Sequence, residues 1–178
     1  MSRQNFSDLL VDPSGTAFAT ITATSETVLV PTLWTPIPAM EPRAGKVYQL
    51  RVGGTCTTGT AGTLIITPRF GTAIGGVALG ASPTQNYVPS ITLAPFVFEY
   101  TLVFRTIGQA GVNSTCVGSG KWVSNGAVAT AASSTVVVCS STASVSVDTS
   151  IANALWIGVT FSVAPSVIPL WHTWQSLN

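Results

Sequence analysis

Between Pro95 and Gly108 the chain reads PFVFEYTLVFRTIG, and its large apolar side chains recur at every second position. Phe96, Phe98, Tyr100, Leu102 and Phe104 fall on one side, and Val97, Glu99, Thr101, Val103 and Arg105 on the other. That period is the repeat of a pleated strand, and aromatic and β-branched residues suit a half-buried sheet surface. A helix would need its apolar positions three and four residues apart. The pattern predicts a central strand of a β-sandwich with the aromatic set in the core. The opposite set mixes apolar residues with one acid and one base, as on a face partly covered or shared with a partner.

Other segments repeat the pattern more weakly. Thr16 to Val30 alternates small apolar residues with Thr, and Lys46 to Gly53 sets Tyr48, Leu50 and Val52 against Val47, Gln49 and Arg51. Thr63 to Phe70, with Leu64 and Ile66 inward, follows the Gly-rich segment GGTCTTGTAG, so these two strands are expected to form a hairpin. Between positions 31 and 42 lie four of the chain's eleven prolines, which predicts an extended edge or loop. Residues 71–90 read as irregular, and 109–126 as small turns around Cys116, Val117, Trp122 and Val123. Short β-rich runs at Thr135–Cys139 and Ala143–Val147 precede a final strand, Ala154 to Val163, with Leu155, Ile157, Val159 and Phe161 on one face.

The fold class predicted is therefore all-β: an antiparallel, jelly-roll-like β-sandwich of about eight to ten strands. Residues 1–15 form an N-terminal arm, 16–164 the sandwich and 165–178 a C-terminal tail of low order. In the arm, Phe6, Leu9, Leu10 and Val11 suit either a neighbouring molecule or one end of the same sandwich. Trp171 and Trp174 stand three apart in the tail.

Composition changes this picture in one respect. Only 7% of the 178 residues are charged, while Ser and Thr supply 44, so the surface must be hydroxyl, amide and backbone. Such a surface has little self-repulsion and weak protection from association, which points to a subunit of something larger. A net charge of +1, with five Arg and two Lys scattered, argues against a nucleic-acid partner. The first fifteen residues lack the apolar run of a secretory leader. Ile151 to Trp171 is uncharged and long enough to span a bilayer, but Pro165, Pro169 and the alternation within it favour a strand and tail, so no membrane partner is expected. Cys56, Cys116 and Cys139 allow one disulfide and a free thiol, yet no spacing resembles a zinc site or CxxC, and buried free thiols are the expected state.

Candidate chemistry is sparse. The single histidine, His172, lies in the expected tail, where a general base has no scaffold to position it. The six carboxylates, Asp8, Asp12, Glu26, Glu41, Glu99 and Asp148, are far apart, and Glu99 is expected in a cross-strand ion pair with Arg51 or Arg105. No catalytic residue, metal site or cofactor is predicted. Glycan-acceptor triplets at Asn5 and Asn113 carry no weight as short matches. Trp34, Trp122 and Tyr87 are the aromatic candidates for sugar binding, with packing as the favoured reading of all three.

Four segments carry a resemblance: TLWTPIPA, EPRAGKVYQLRVGGTCTTGTAGTLIITPRFG, the aromatic strand ending in FRTIGQAG, and VDTSIANALWIGVTFS. Together, over roughly residues 32–163, they resemble small virion proteins of tailed bacteriophages, especially those of actinobacteria, of the capsid decoration or cement type. The resemblance implies a non-enzymatic protein on the outer surface of the virion head. It would be commonly trimeric and would clamp neighbouring major capsid protein subunits. It implies structural roles for Arg43-Ala44-Gly45 and Asp148. Phe6, Leu9 and Leu10 in the arm, and Trp171, Trp174 and Leu177 in the tail, are the expected partner contacts. The alternative expectation is a phage tail-tip or fibre module binding host-surface carbohydrate.

Overall fold

The computed structural model describes residues 8–10, 18–31, 35–72, 75–87, 91–125 and 134–177, with the backbone alone at 8–10, 87, 125 and 134–137. In chain order the strands are β1 (Asp8–Leu10), β2 (Thr27–Val28), β3 (Pro36–Ile37), β4 (Val47–Thr58), β5 (Gly62–Gly71), β6 (Val77–Ala78) and β7 (Gln85–Tyr87). They continue as β8 (Ile91–Thr106), β9 (Ser114–Asn125), β10 (Ser134–Ser140), β11 (Val145–Val147), β12 (Asn153–Phe161) and β13 (Ser166–Leu177). One sheet has seven strands in the order β1-β13-β4-β8-β9-β10, with β11 also on β9. The other has six, in the order β2-β12-β5-β6, with β3 on β12 and β7 on β5. All the pairings are antiparallel, and the two sheets pack face to face.

The aromatic strand lies where its alternation places it. In β8, Phe96, Phe98, Tyr100, Leu102 and Phe104 are all buried, between β4 on one side and β9 on the other. From β12, Leu155, Ile157, Val159 and Phe161 enter the same core from the second sheet, together with Leu64, Ile66 and Phe70 of β5. Each such side chain removed from water contributes about 1.5–3 kcal/mol, and period-two patterning fixes which face each strand turns inward.

Three expectations need correcting. β4 and β5 do not form a hairpin: they lie in different sheets, and the chain crosses between the sheets at residues 59–61. The segment read as a Gly-rich turn is largely strand, because Gly53 and Gly54 are needed inside β4. A Cβ at Gly54 would overlap the Ile168 carbonyl, and one at Gly53 would overlap the Trp171 indole. Residues 114–125 form one long strand where small turns were expected. Its inward positions 118 and 120 are glycines because the Tyr100 ring occupies the space a Cβ would take at either.

The expected tail is also a strand. Residues 166–177 form β13, which pairs with β4 along its length and receives β1 on its other edge, with Leu10 opposite Trp174. Pro169 is accommodated because it sits beside a register shift, where a missing N–H breaks no regular ladder. Expected arm residues Leu9 and Leu10 thus have their backbone on an edge of the chain's own sheet. Phe6 lies outside the described residues, as do Asn5 and Trp34.

Candidate functional site

The described carboxylates are engaged in structural bonds. Glu26 takes two bonds from the Arg69 guanidinium, at 2.7 and 2.8 Å, over Gly158 of β12, and Glu41 lies 3.5 Å from Lys46. Asp148 accepts the Ser150 N–H at 2.8 Å and its hydroxyl at 2.6 Å, bonds that hold its carboxyl below the usual carboxylate range. In the same turn Asn153 donates to the Asp148 and Ile151 carbonyls, and buried Thr149 and Ser114 both bond the Gly111 carbonyl. Gly45, at φ 84°, closes the tight approach to β4 through its N–H to the Phe104 carbonyl. The VDTSIANA and RAG segments are therefore braces of the sandwich. Among the described residues, no three His, Cys, Asp or Glu side chains cluster as metal ligands.

The outer face of the seven-stranded sheet has a different character. Two irregularities flank β4. On β13 the register shifts between Pro169 and Trp171, and Leu170 is the extra residue. On β8 it shifts opposite the Cys56–Thr58 stretch, where Leu93 takes a left-handed φ of 51° and gives its N–H to the Thr57 hydroxyl. Both leucines face solvent, Leu93 at 58% and Leu170 at 61% exposure. The bulge also reverses the phase of the rest of β13. Trp171 stands opposite Gly53 and turns outward, laying its indole over that glycine with 43% of it still exposed. Register places Ile168, Thr55 and Pro95 in one row across the face, and Trp171, Gly53, Val97 and Val123 in the next. An exposed apolar patch built by strained backbone is a recognised mark of a contact surface.

The row beyond it is charged. Arg51, Glu99 and Lys121 are direct cross-strand neighbours on β4, β8 and β9, with Arg51 2.8 Å and Lys121 3.5 Å from opposite oxygens of Glu99. The Glu99–Arg51 pair matches expectation, whereas Lys121 was missed because β9 was not read as a strand. Arg105 takes no part in it. Beside the row, Gln49, Thr101, Ser119 and Val138 border an open depression.

The expected contact residues divide. Trp171 is on this surface. Trp174 is not: it is 2% exposed, stacked on Tyr48 with centroids 5.4 Å apart, and its indole N–H bonds the Pro36 carbonyl at 3.1 Å. It belongs to the core, because the bulge at Leu170 turns it inward. Leu177 is half-buried at the end of β13. Of the sugar-binding candidates, Trp122 is buried against Phe96 with ring centroids 4.0 Å apart, and the side chain of Tyr87 lies outside the described residues, as does Trp34. His172 is a buried sheet residue in edge contact with Phe18 rather than part of a loose tail. The three cysteines are buried free thiols, and burial pushes Cys56 up to about 11 and Cys116 and Cys139 up to about 12. No helix among the described residues is long and apolar enough to cross a membrane.

No protein-family model and no curated protein matches the chain.

Proposed function

We propose that this chain is a non-enzymatic virion structural protein, a capsid decoration or cement protein. It binds the outside of a tailed-phage head as a homotrimer and holds neighbouring major capsid protein subunits together. The observation that carries this reading is the exposed patch on the seven-stranded sheet. Leu93 is held in a backbone conformation that costs a non-glycine residue about 1–2 kcal/mol, and its side chain then points to water. Leu170 and Trp171 lie across β4 on the same sheet, beyond the Ile168–Thr55–Pro95 row, and the cost is intelligible where a partner covers the face between them.

The sequence resemblance over residues 32–163 supports the same assignment. So does the ribbon in which β4 pairs with β13 and the continuing strands β5 and β12 pair in the second sheet, which is the ground for reading the sandwich as jelly-roll-like. A sparsely charged face suits the task, since apolar contacts lose little to salt while surface ion pairs are screened. Modest single contacts then add through repetition over a symmetric lattice.

The test is binding of the purified chain to heads assembled without it, with electron microscopy of the product. Density on the head exterior and a raised head disruption temperature are expected. Failure to bind, or density confined to the tail, overturns the proposal. A tail-tip module binding host-surface carbohydrate is the second reading, favoured by the indole of Trp171 lying flat over Gly53 as a stacking surface. It requires glycan binding that Trp171→Ala abolishes.

A further inference from the structure

We propose that the partner surface seated on this outer face presents carboxylates beside aliphatic side chains, its acids meeting Arg51 and Lys121 while its apolar groups cover Leu170 and Trp171. This rests on the reading of the chain as a particle-bound structural protein. It adds the chemistry of the partner.

Charge on this face is unbalanced. Two cations share one carboxylate: Arg51 and Lys121 keep about half of their side-chain surface, 48% and 53%, while Glu99 keeps 29%. The Arg51–Glu99–Lys121 row therefore carries a net formal charge of +1, equal to that of the whole chain. A chain this poor in charge has concentrated cations beside its exposed apolar patch. Complementary potential is what orients such surfaces on encounter.

The same row discriminates among anionic partners. Glu99 sits between the two cations, so a continuous polyanion laid across them would meet a carboxylate at the centre of its track. Separate acids approaching from either side avoid it. Leu170 and Trp171 require apolar groups next to those acids, and an apolar centre with a charged rim is the composition of a protein interface.

Heads assembled from the major capsid protein alone are the probe, titrated with labelled wild-type chain and variants whose melting by circular dichroism is unchanged. Arg51→Gln combined with Lys121→Gln is expected to weaken binding about tenfold and to flatten its salt dependence. Glu99→Gln, which frees both cations, is expected to tighten it about two- to fivefold. Carbodiimide coupling should join the Lys121 amine to an Asp or Glu of the capsid subunit, located by mass spectrometry. Unchanged binding by the double variant, weaker binding by Glu99→Gln, or coupling that bypasses Lys121 overturns the inference and leaves the contact reading standing. Wild-type chain that fails to bind heads at all overturns both.

Discussion

Trp171 and Trp174 are three residues apart on one strand, yet the bulge between Pro169 and Trp171 gives them opposite surroundings, and truncating each should expose the difference. Trp174 is buried, stacks on Tyr48 and bonds the Pro36 carbonyl. Trp174→Ala removes a whole buried indole, a change that costs about 3–5 kcal/mol in comparable cores, and the lost hydrogen bond and stacking place it at the upper end. Trp171→Ala removes a ring with one face on Gly53 and the other in solvent, so about 1 kcal/mol is expected. The assay is urea unfolding followed by circular dichroism. With a urea slope of about 2 kcal/mol per molar for a domain of this size, Trp174→Ala should lower the midpoint by about 2 M and Trp171→Ala by about 0.5 M. Equal midpoints for the two variants, or a larger loss at Trp171, would refute the assignment of inner and outer faces after the bulge.

Leu93→Gly relieves a left-handed residue and should stabilise the chain by about 0.5–1 kcal/mol in the same assay, while weakening head binding; loss of stability would show that Leu93 is not strained. The folded chain should resist a thiol reagent at neutral pH and release three equivalents on unfolding, and an early equivalent would place a cysteine at the surface. Because the folded thiols titrate near 11 and 12 against an ordinary 9.0, their contribution to stability is complete below about pH 9 and is lost as pH rises. The unfolding free energy obtained from urea titrations should fall between pH 9 and 11 by about 1.4 kcal/mol per thiol per pH unit at most, and by less in a Cys116→Ser variant. Glu26→Gln should cost about 1–2 kcal/mol by leaving the partly buried Arg69 guanidinium short of its charge partner, and a neutral result would mean water replaces the pair.

How much of this was legible in the sequence depended on whether one strand alone decided a residue's place. The stretches 96–104 of β8 and 155–161 of β12 were legible because their inward positions are all large and their alternation is unbroken. β9 was not, since two inward positions are glycine for the sake of Tyr100, a residue of the neighbouring strand. The turn reading of Gly53 and Gly54 failed for the same reason: both glycines answer to β13. The tail was misread because Pro165 and Pro169 resemble breakers, and no local pattern announces a bulge at Leu170. Of the contact surface, the Arg51–Glu99 pair and outward Val97 could be read from alternation. Leu93, Leu170 and Lys121 could not, for their places on the face are set by the register shifts beside β4 and by the pairing of β8 with β9.

The bond from Trp174 to Pro36 spans 138 positions, and the whole length of β4 is bordered on one side by residues of the same late segment. During synthesis at about 5–20 residues per second, β4 therefore waits on the order of 10 s for its second neighbour. Throughout that interval one flank of the strand is an open template, able to accept any extended segment of another nascent chain. In the proposed role, where many copies are made at once, that hazard would be most severe when messages are translated in clusters, so the rate of ribosome loading, as much as the finished sandwich, should govern how much folded chain accumulates.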